Sequence, residues 1–408
     1  MATEIVVLEG HIIDSRALPR VLDEIVGRGC DYQLLEVEVG KTHSDPSRAR
    51  IEISHDDEDR LRSTLAAIAD LGAVAPDPGD AKLVEADMDG VFPEGFYATT
   101  NLPTQVRVEG NWLPVSPSEM DCGIVVRGDT ARTIAMNDVR IGDSIVVGYE
   151  GVRVTPIDRP RAGAEVFSFM SSEISSEKPQ ALLIDRIAQT ARERRNAGEK
   201  ILWVLGPAVV HTGSIDDMVA LIERGWVDLL FAGNALATHD AEASLYGTSL
   251  GIELAEGSPV EHGHEHHLRT INRIRRHGSF REAVRAGTLN SGIMHALVRH
   301  DVPFVLAGSV RDDGPMPEVV TDMVEAQTRM RQALDGVGMA IMVSTMLHSI
   351  ATGNLLPSTC ATVCVDINPA AVTKLVDRGS IQSIGMVTDV GLFLRQLRQA
   401  LEGPDRTS

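Results

Sequence analysis

The stretch ATVCVDINPAAV, residues 361–372, decides the fold. An uninterrupted run of small and β-branched residues ends on Asp366, as expected of a strand buried on both faces of a parallel sheet. Pro369 stands where a following helix would begin, a position at which its missing N–H costs nothing. The pattern recurs in ILWVLGP (201–207), VDLLFAGNALATHD (227–240), PFVLAGSVRDDG (303–314) and MAIMVSTMLHSI (339–350), each setting a small, amide or acidic residue just past the apolar run. Five strand-then-helix units in residues 200–400 predict an α/β domain with a Rossmann-like parallel sheet. Such sheets bind ligands outside the carboxyl ends of their strands. Asp366 at such an end can accept hydrogen bonds from both ribose hydroxyls of a dinucleotide.

Outward from that sheet the chain changes character twice. Residues 1–95 alternate strand, helix, strand, strand, helix (TEIVVLEGHI, SRALPRVLDEIVGRG, YQLLEVEVG, ARIEISH, DEDRLRSTLAAIADLG), which predicts a small ferredoxin-like α+β domain. Residues 96–160 carry short strand runs between Gly and Pro turns and predict a small β-rich domain. Residues 161–408 then form the α/β domain, entered through RPRAGAEVFSFMSSEISSEKP.

Composition narrows the function. The 408 residues carry a formal net charge of -20, which argues against a nucleic-acid or anionic-membrane surface, since phosphate binding needs a basic face. Aromatics at 4% argue against base stacking as well. The four cysteines, Cys30, Cys122, Cys360 and Cys364, have no framework spacing and read as buried free thiols of a reducing compartment. With no basic leader or apolar span in the sequence, a cytoplasmic location is expected.

No G-x-G-x-x-G or G-x-x-x-x-G-K-[ST] follows any strand, and Gly336 and Gly338 lie on the wrong side of their apolar run for a phosphate turn. A dinucleotide would then need the helix starts at Asn234-Ala235 or at Thr345-Met346-Leu347-His348 for its phosphates. Asn234 can equally be a helix cap. VEHGHEHHLRTINRIRRHG, residues 260–278, gathers His262, His264, His266 and His267 around Glu265. Imidazoles this dense suit acid–base work or a carboxylated substrate, with Arg269 and Arg273 close by; the alternative is an exposed polar helix start. The spacing does not match H-E-x-x-H, and no metal is expected. Lys178 in MSSEISSEKP can hold a substrate carboxylate. Asp312 and Asp313 past LAGSVR, and Asp389 in VTDVG, add acids at the same sheet edge. Lys41, Thr42 and His43 in VGKTHSD read as a solvated hairpin tip that can also visit the site.

The combination MSSEISSEKP, LWVLGPAVVHTGS, FAGNALATHD, GHEHHLRTINRIRRHGS, LNSGIM, LAGSVRDDGPMP and CVDINPAAVTKLVDRGS resembles the archaeal-type ornithine cyclodeaminase family, from about residue 3 to residue 400. The same module forms the carboxyl-terminal part of cyanobacterial bifunctional arginine-degrading enzymes. Residues 1–95 resemble the segment between the two enzymes of plant lysine-ketoglutarate reductase/saccharopine dehydrogenase. The resemblance implies a deoxyhypusine-synthase-like NAD-binding sheet, tightly held NAD, and conversion of L-ornithine to L-proline with loss of ammonia. In that reaction NAD is reduced and re-oxidised within each turnover. By motif it carries over cofactor contacts at Asn234, Ala235, Asp313, Thr345, Met346, Leu347, His348, Asp366, Asp389 and Val390. Acid–base work is then expected from His264 or His266 with Glu265. Arg269 or Lys178 would hold the substrate carboxylate and Asp312 the δ-ammonium. Two alternatives stay open: an opine- or saccharopine-type amino-acid dehydrogenase, and a non-enzymatic amino-acid sensor. A homo-oligomer is expected, as for most enzymes of this size.

Overall fold

The computed structural model describes residues 2–13, 16–40, 45–69, 71–76, 78–155, 180–249, 252–253, 266–312, 314–376 and 383–402. They divide into two compact units, the first taking in the chain up to residue 155 together with 354–359. In the first unit, β1 (Ala2–Gly10), α1 (Ala17–Gly27), β2 (Asp31–Glu38), β3 (Ser47–His55) and α2 (Glu58–Ala69) follow the order that the sequence predicts. The antiparallel sheet runs β1-β3-β2, and Val7 of β1 pairs with Val74 through one isolated bridge. In α1, Leu18, Val21 and Ile25 share one helical face and pack with Leu8, Ile51 and Ile53 of the sheet.

Seven more strands make the β-rich part: β4 (Lys82–Glu85), β5 (Thr104–Val108), β6 (Asn111–Val115), β7 (Gly123–Arg127), β8 (Thr130–Ile134), β9 (Ser144–Val147) and β10 (Val152–Val154). Their order is β10-β5-β6-β8-β7-β9-β4. Ile124 and Val126 of β7 enter one apolar cluster while Val125 enters another, so both faces of this strand are covered.

The second unit is the α/β sheet. Its elements are α3 (Gln180–Asn196), β11 (Lys200–Leu205), α4 (Ala208–His211), α5 (Ile215–Glu223), β12 (Leu229–Gly233), α6 (Asn234–Tyr246), β13 (Thr248–Ser249), β14 (Ile252–Glu253), α7 (His266–Arg275), α8 (Phe280–Arg285), α9 (Ile293–Arg299), β15 (Phe304–Ala307), β16 (Val319–Val320), α10 (Met323–Ala333), β17 (Val337–Val343), α11 (Met346–Leu355), β18 (Ala361–Asp366), α12 (Pro369–Val376), β19 (Ser383–Val387) and α13 (Val390–Glu402). Every pairing in the large sheet is parallel, in the order β16-β15-β12-β11-β17-β18-β19. Leaving out the edge strand β16 and ranking the rest by sequence, that order is 3-2-1-4-5-6, that of doubly wound dinucleotide-binding folds. Trp203, Val204, Leu205, Phe231 and Ile341 are almost wholly buried because helices cover both faces.

Two of the five expected strand-then-helix units differ in detail. After β11 comes only the single turn α4 before α5, and after β15 the chain adds the two-residue edge strand β16 before α10. The four cysteines are buried and free, as the spacing suggests. Burial pushes the Cys360 and Cys364 thiols up to about 12, so both are inert. No helix among the described residues is long and apolar enough to cross a membrane.

Candidate active site

The strand order reverses between β11 and β17, and the chain there is packed tightly. A Cβ on Gly206, just past β11, would stand 1.9 Å from the Ser344 carbonyl oxygen beyond β17, so only glycine fits. Ser344 itself adopts a left-handed φ of 48°, a conformation that non-glycine residues hold mainly where the surroundings impose it. Its Oγ is buried without a hydrogen-bond partner. The first turn of α11 follows at once, with Thr345 half-buried and Met346 and Leu347 exposed.

One strand further, Asp366 ends β18 half-buried. Its Oδ1 accepts the Asn368 amide at 2.8 Å, an Asx turn that fixes the carboxylate at the sheet edge. Beyond β19, exposed Asp389 caps α13 by accepting the Leu392 amide at 2.9 Å, and Val390 is buried beneath it. On the other side of the reversal, a Cβ on Gly233 would meet His348 Cε1 at 2.9 Å, so His348 of α11 reaches across to the end of β12. Burial lowers the His348 pKa, and the charge of Asp312 works against that shift. Asp312 Oδ2 accepts the Ser309 amide at 2.8 Å.

Asn234 does not cap α6 with its side chain. Gly233 occupies the cap position in extended conformation, and Asn234 turns its amide to the loop after β15 instead. Its Oδ1 accepts the Met316 amide at 2.9 Å and its Nδ2 donates to the Gly314 carbonyl at 3.4 Å. Any contact from this residue to a phosphate is left to its backbone N–H at the helix start, beside half-buried Ala235.

His266 opens α7, and Arg269 is exposed one turn on. The His266 ring stacks on Tyr246 with centroids 4.6 Å apart, and its Nδ1 lies 2.8 Å from Thr248 Oγ1. The Thr248 hydroxyl donates at 2.9 Å to Oε1 of Glu242, a fully buried carboxylate on α6. Glu242 Oε2 is 3.1 Å from His239 Nδ1, whose ring lies 5.0 Å from that of His211. His211 Nδ1 is 2.7 Å from Ser249 Oγ. Burial, followed by the neighbouring His239, lowers the His211 pKa, while Glu242 opposes them.

Sequence reasoning missed His211, His239, Glu242 and Thr248. The available signal was ATHDAE, where His239 and Glu242 stand three apart on a helix that leaves the binding edge of the sheet. The remaining expected site residues, Lys178, His264, Glu265 and Asp313, lie outside the described residues, as do Lys41, Thr42, His43 and His262. Among the described residues no group of three His, Cys, Asp or Glu side chains forms a metal site.

A parallel sheet in this order, with a tight reversal and an acid fixed beside it, defines a Rossmann-fold protein of the dinucleotide-binding class. Residues 185–397 match the model for the Rossmann-fold C-terminal region of ArgZ-like arginine dihydrolases. Residues 103–184 match the first C-terminal region of the same proteins, and 3–102 the conserved region of LOR/SDH bifunctional enzymes. The ornithine cyclodeaminase of Methanopyrus kandleri is 52% identical over 401 residues, spanning 98% of this chain and 97% of its own. The bifunctional arginine dihydrolase/ornithine cyclodeaminase AgrE of Nostoc is 42% identical over 98% of the chain. The chain spans 58% of the length of AgrE. The crystal structure of apo ArgZ, from cyanobacteria, superposes with a TM-score of 0.85 at 38% identity, covering 98% of this chain and 58% of ArgZ. AgrE in ternary complex with ornithine and NAD+ superposes at 0.54 with 41% identity, over 98% of this chain and 57% of AgrE. The chain belongs to the archaeal-type ornithine cyclodeaminase family, whose module also forms the carboxyl-terminal part of ArgZ and AgrE.

Proposed function

We propose that this chain is an NAD-dependent enzyme that converts L-ornithine to L-proline and ammonia. One observation carries the reading: archaeal ornithine cyclodeaminases match it at 46–52% identity over nearly their whole length. The relative AgrE, whose structure holds both ornithine and NAD+, supports the same pairing of substrate and cofactor. The reading extends to a cytoplasmic homo-oligomer that makes proline at the expense of ornithine.

The strand-end residues fit the cofactor. Asp366 offers a fixed carboxylate for ribose hydroxyls, and the amides at the start of α11 suit a pyrophosphate. The buried, unpartnered Ser344 hydroxyl is a polar group whose desolvation a ligand would offset. Around these, Asn234, Ala235, Asp313, Thr345, Met346, Leu347, His348, Asp389 and Val390 complete the proposed shell. Bound NAD supplies reversible oxidation of the ornithine α-carbon.

The protein's own work is proton handling and orientation. A base must free an amine for attack, and an acid must help ammonia leave. His266 is the described member of the cluster assigned to that work, with His264 and Glu265 beside it in sequence. Asp312 supplies negative charge for the δ-ammonium, and Arg269 and Lys178 supply positive charge for the carboxylate.

The test is purified protein with L-ornithine and sub-stoichiometric NAD+, following proline, ammonia and NADH absorbance. Proline in excess of added NAD+, without net NADH, is the expected outcome. Accumulating NADH with an oxo acid would make the chain a dehydrogenase, and ornithine binding without product would make it a sensor.

A further inference from the structure

We infer that Glu242 is a positioning residue that sets the tautomers of two imidazoles, His266 through Thr248 and His239 directly, as an acid–base pair. The inference rests on the proposed cyclodeaminase activity. It starts from donor counting. Thr248 has one hydroxyl proton, and that proton goes to Glu242 Oε1. The contact between Thr248 Oγ1 and His266 Nδ1 therefore has the imidazole as donor. Taken as an ionised carboxylate, Glu242 only accepts, and His239 Nδ1–H is then the donor to Glu242 Oε2. Both rings are thereby held with the proton on Nδ1, and in each neutral ring Nε2 keeps its lone pair.

This is the arrangement in which a buried carboxylate orients a histidine base and stabilises the imidazolium formed when the base takes a proton. Here one carboxylate serves two rings, one by direct contact and one through a hydroxyl. Burial strengthens the effect, because Glu242 and Thr248 are 0% and 1% exposed and little water competes for their bonds. The Tyr246 ring, stacked on His266 at an interplanar angle of 14°, removes the remaining rotational freedom. One Nε2 takes the proton that an amine loses in becoming a nucleophile, and the imidazolium so formed gives that proton to the amine that departs as ammonia. The proton count is unchanged over the pair.

The placement agrees with the sheet. His239 stands in the second turn of α6, which leaves β12 at its carboxyl end, and His211 follows β11 at the same edge. A bystander carboxylate buried in a helix interior would have no reason to be bonded toward that edge from one oxygen and toward α7 from the other.

The experiment is ornithine turnover and histidine 15N spectra for the wild type, Glu242→Gln and Thr248→Val, each with its own NAD affinity. In Glu242→Gln the new amide N–H faces a group that already donates, so one ring must flip. We expect kcat to fall by about 100-fold with KM and NAD affinity within about threefold, and the Nδ1–H signature to be lost from His239 or His266. Thr248→Val is nearly isosteric and breaks only one arm. There His266 alone should change tautomer, with a kcat loss of roughly tenfold. If Glu242→Gln does not fold, this single-arm pattern decides the matter. Unchanged spectra, or kcat within threefold of wild type in both variants, would overturn the inference. A wild type that turns over no ornithine yet shows the tautomer changes would sink the cyclodeaminase reading and the acid–base role, while the tautomer assignment stands.

Discussion

Asp366 is held by its own backbone at a place where backbone pairing ends. The Asn368 amide fixes one carboxylate oxygen, and the Thr388 amide takes the carbonyl oxygen of the same residue. A carboxylate so fixed loses little further freedom on meeting two hydroxyls, and each charge-assisted bond contributes about 1.5–3 kcal/mol. Asp366→Ala should therefore weaken NAD binding by about 100-fold or more in a calorimetric titration, with the melting temperature almost unmoved because the side chain is half-exposed. A dissociation constant within twofold of wild type would remove Asp366 from the cofactor site. The place of this residue at a strand end was legible because the apolar run stops at it. Asn234 was legible only as special: its partners Gly314 and Met316 are 80 and 82 residues away, a distance that no local pattern encodes. For His266 the sequence shows only part of the surroundings: adjacency offers Glu265, which lies outside the described residues. The carboxylate linked to that imidazole through Thr248 is Glu242 on a different helix.

At the scale of elements, the packing of α6 against α9 depends on another buried acid. Asp240 is wholly buried and receives the Ile293 and Met294 amides at 2.7 and 2.8 Å, closing the N-terminus of α9 from a neighbouring helix. Gly292 must be glycine there, since its φ is 96° and a Cβ would lie 2.7 Å from Asp240 Oδ1. Burial raises the Asp240 pKa to about 6, outweighing the two amides, which pull it down. Because the folded value exceeds the ordinary 3.8, folding takes up a proton, so this group's stabilisation is full below about pH 4 and is lost as pH rises through 6. Asp240→Asn cannot titrate there. The stability of wild type over Asp240→Asn in urea titrations should therefore grow as pH falls from 7 to 4, by up to about 3 kcal/mol. A gap that stays constant, or widens upward in pH, would show that the amides hold Asp240 ionised. Elements themselves were mostly legible where apolar runs are long. The two-residue β16 and the single turn α4 are too short for any periodicity, and both come from tertiary pairing and crowding at the sheet edge.

For the molecule as a whole, the open question is where a dinucleotide's binding energy is delivered. A ligand that binds only the folded form adds about 2.7 kcal/mol at a hundredfold excess over its dissociation constant, and opening reactions that break its contacts feel that gain. If the cofactor lies along the strand ends, hydrogen-exchange mass spectrometry with saturating NAD should slow exchange in three separated segments: 344–350, 366–370 and 388–393. These share the carboxyl edge of β17, β18 and β19 and nothing else in sequence. Peptides from β1, β2 and β3 should exchange at the same rate with and without NAD, because that sheet has its own core in Leu8, Ile51 and Ile53. Protection spread evenly over the whole second unit would indicate global stabilisation without a located site, and protection confined to α7 would move the cofactor to the histidine side. The parallel sheet makes the distinction sharp: its strands are buried and slow with or without ligand, so a change in rate at their ends reports what binds there rather than the stability of the sheet.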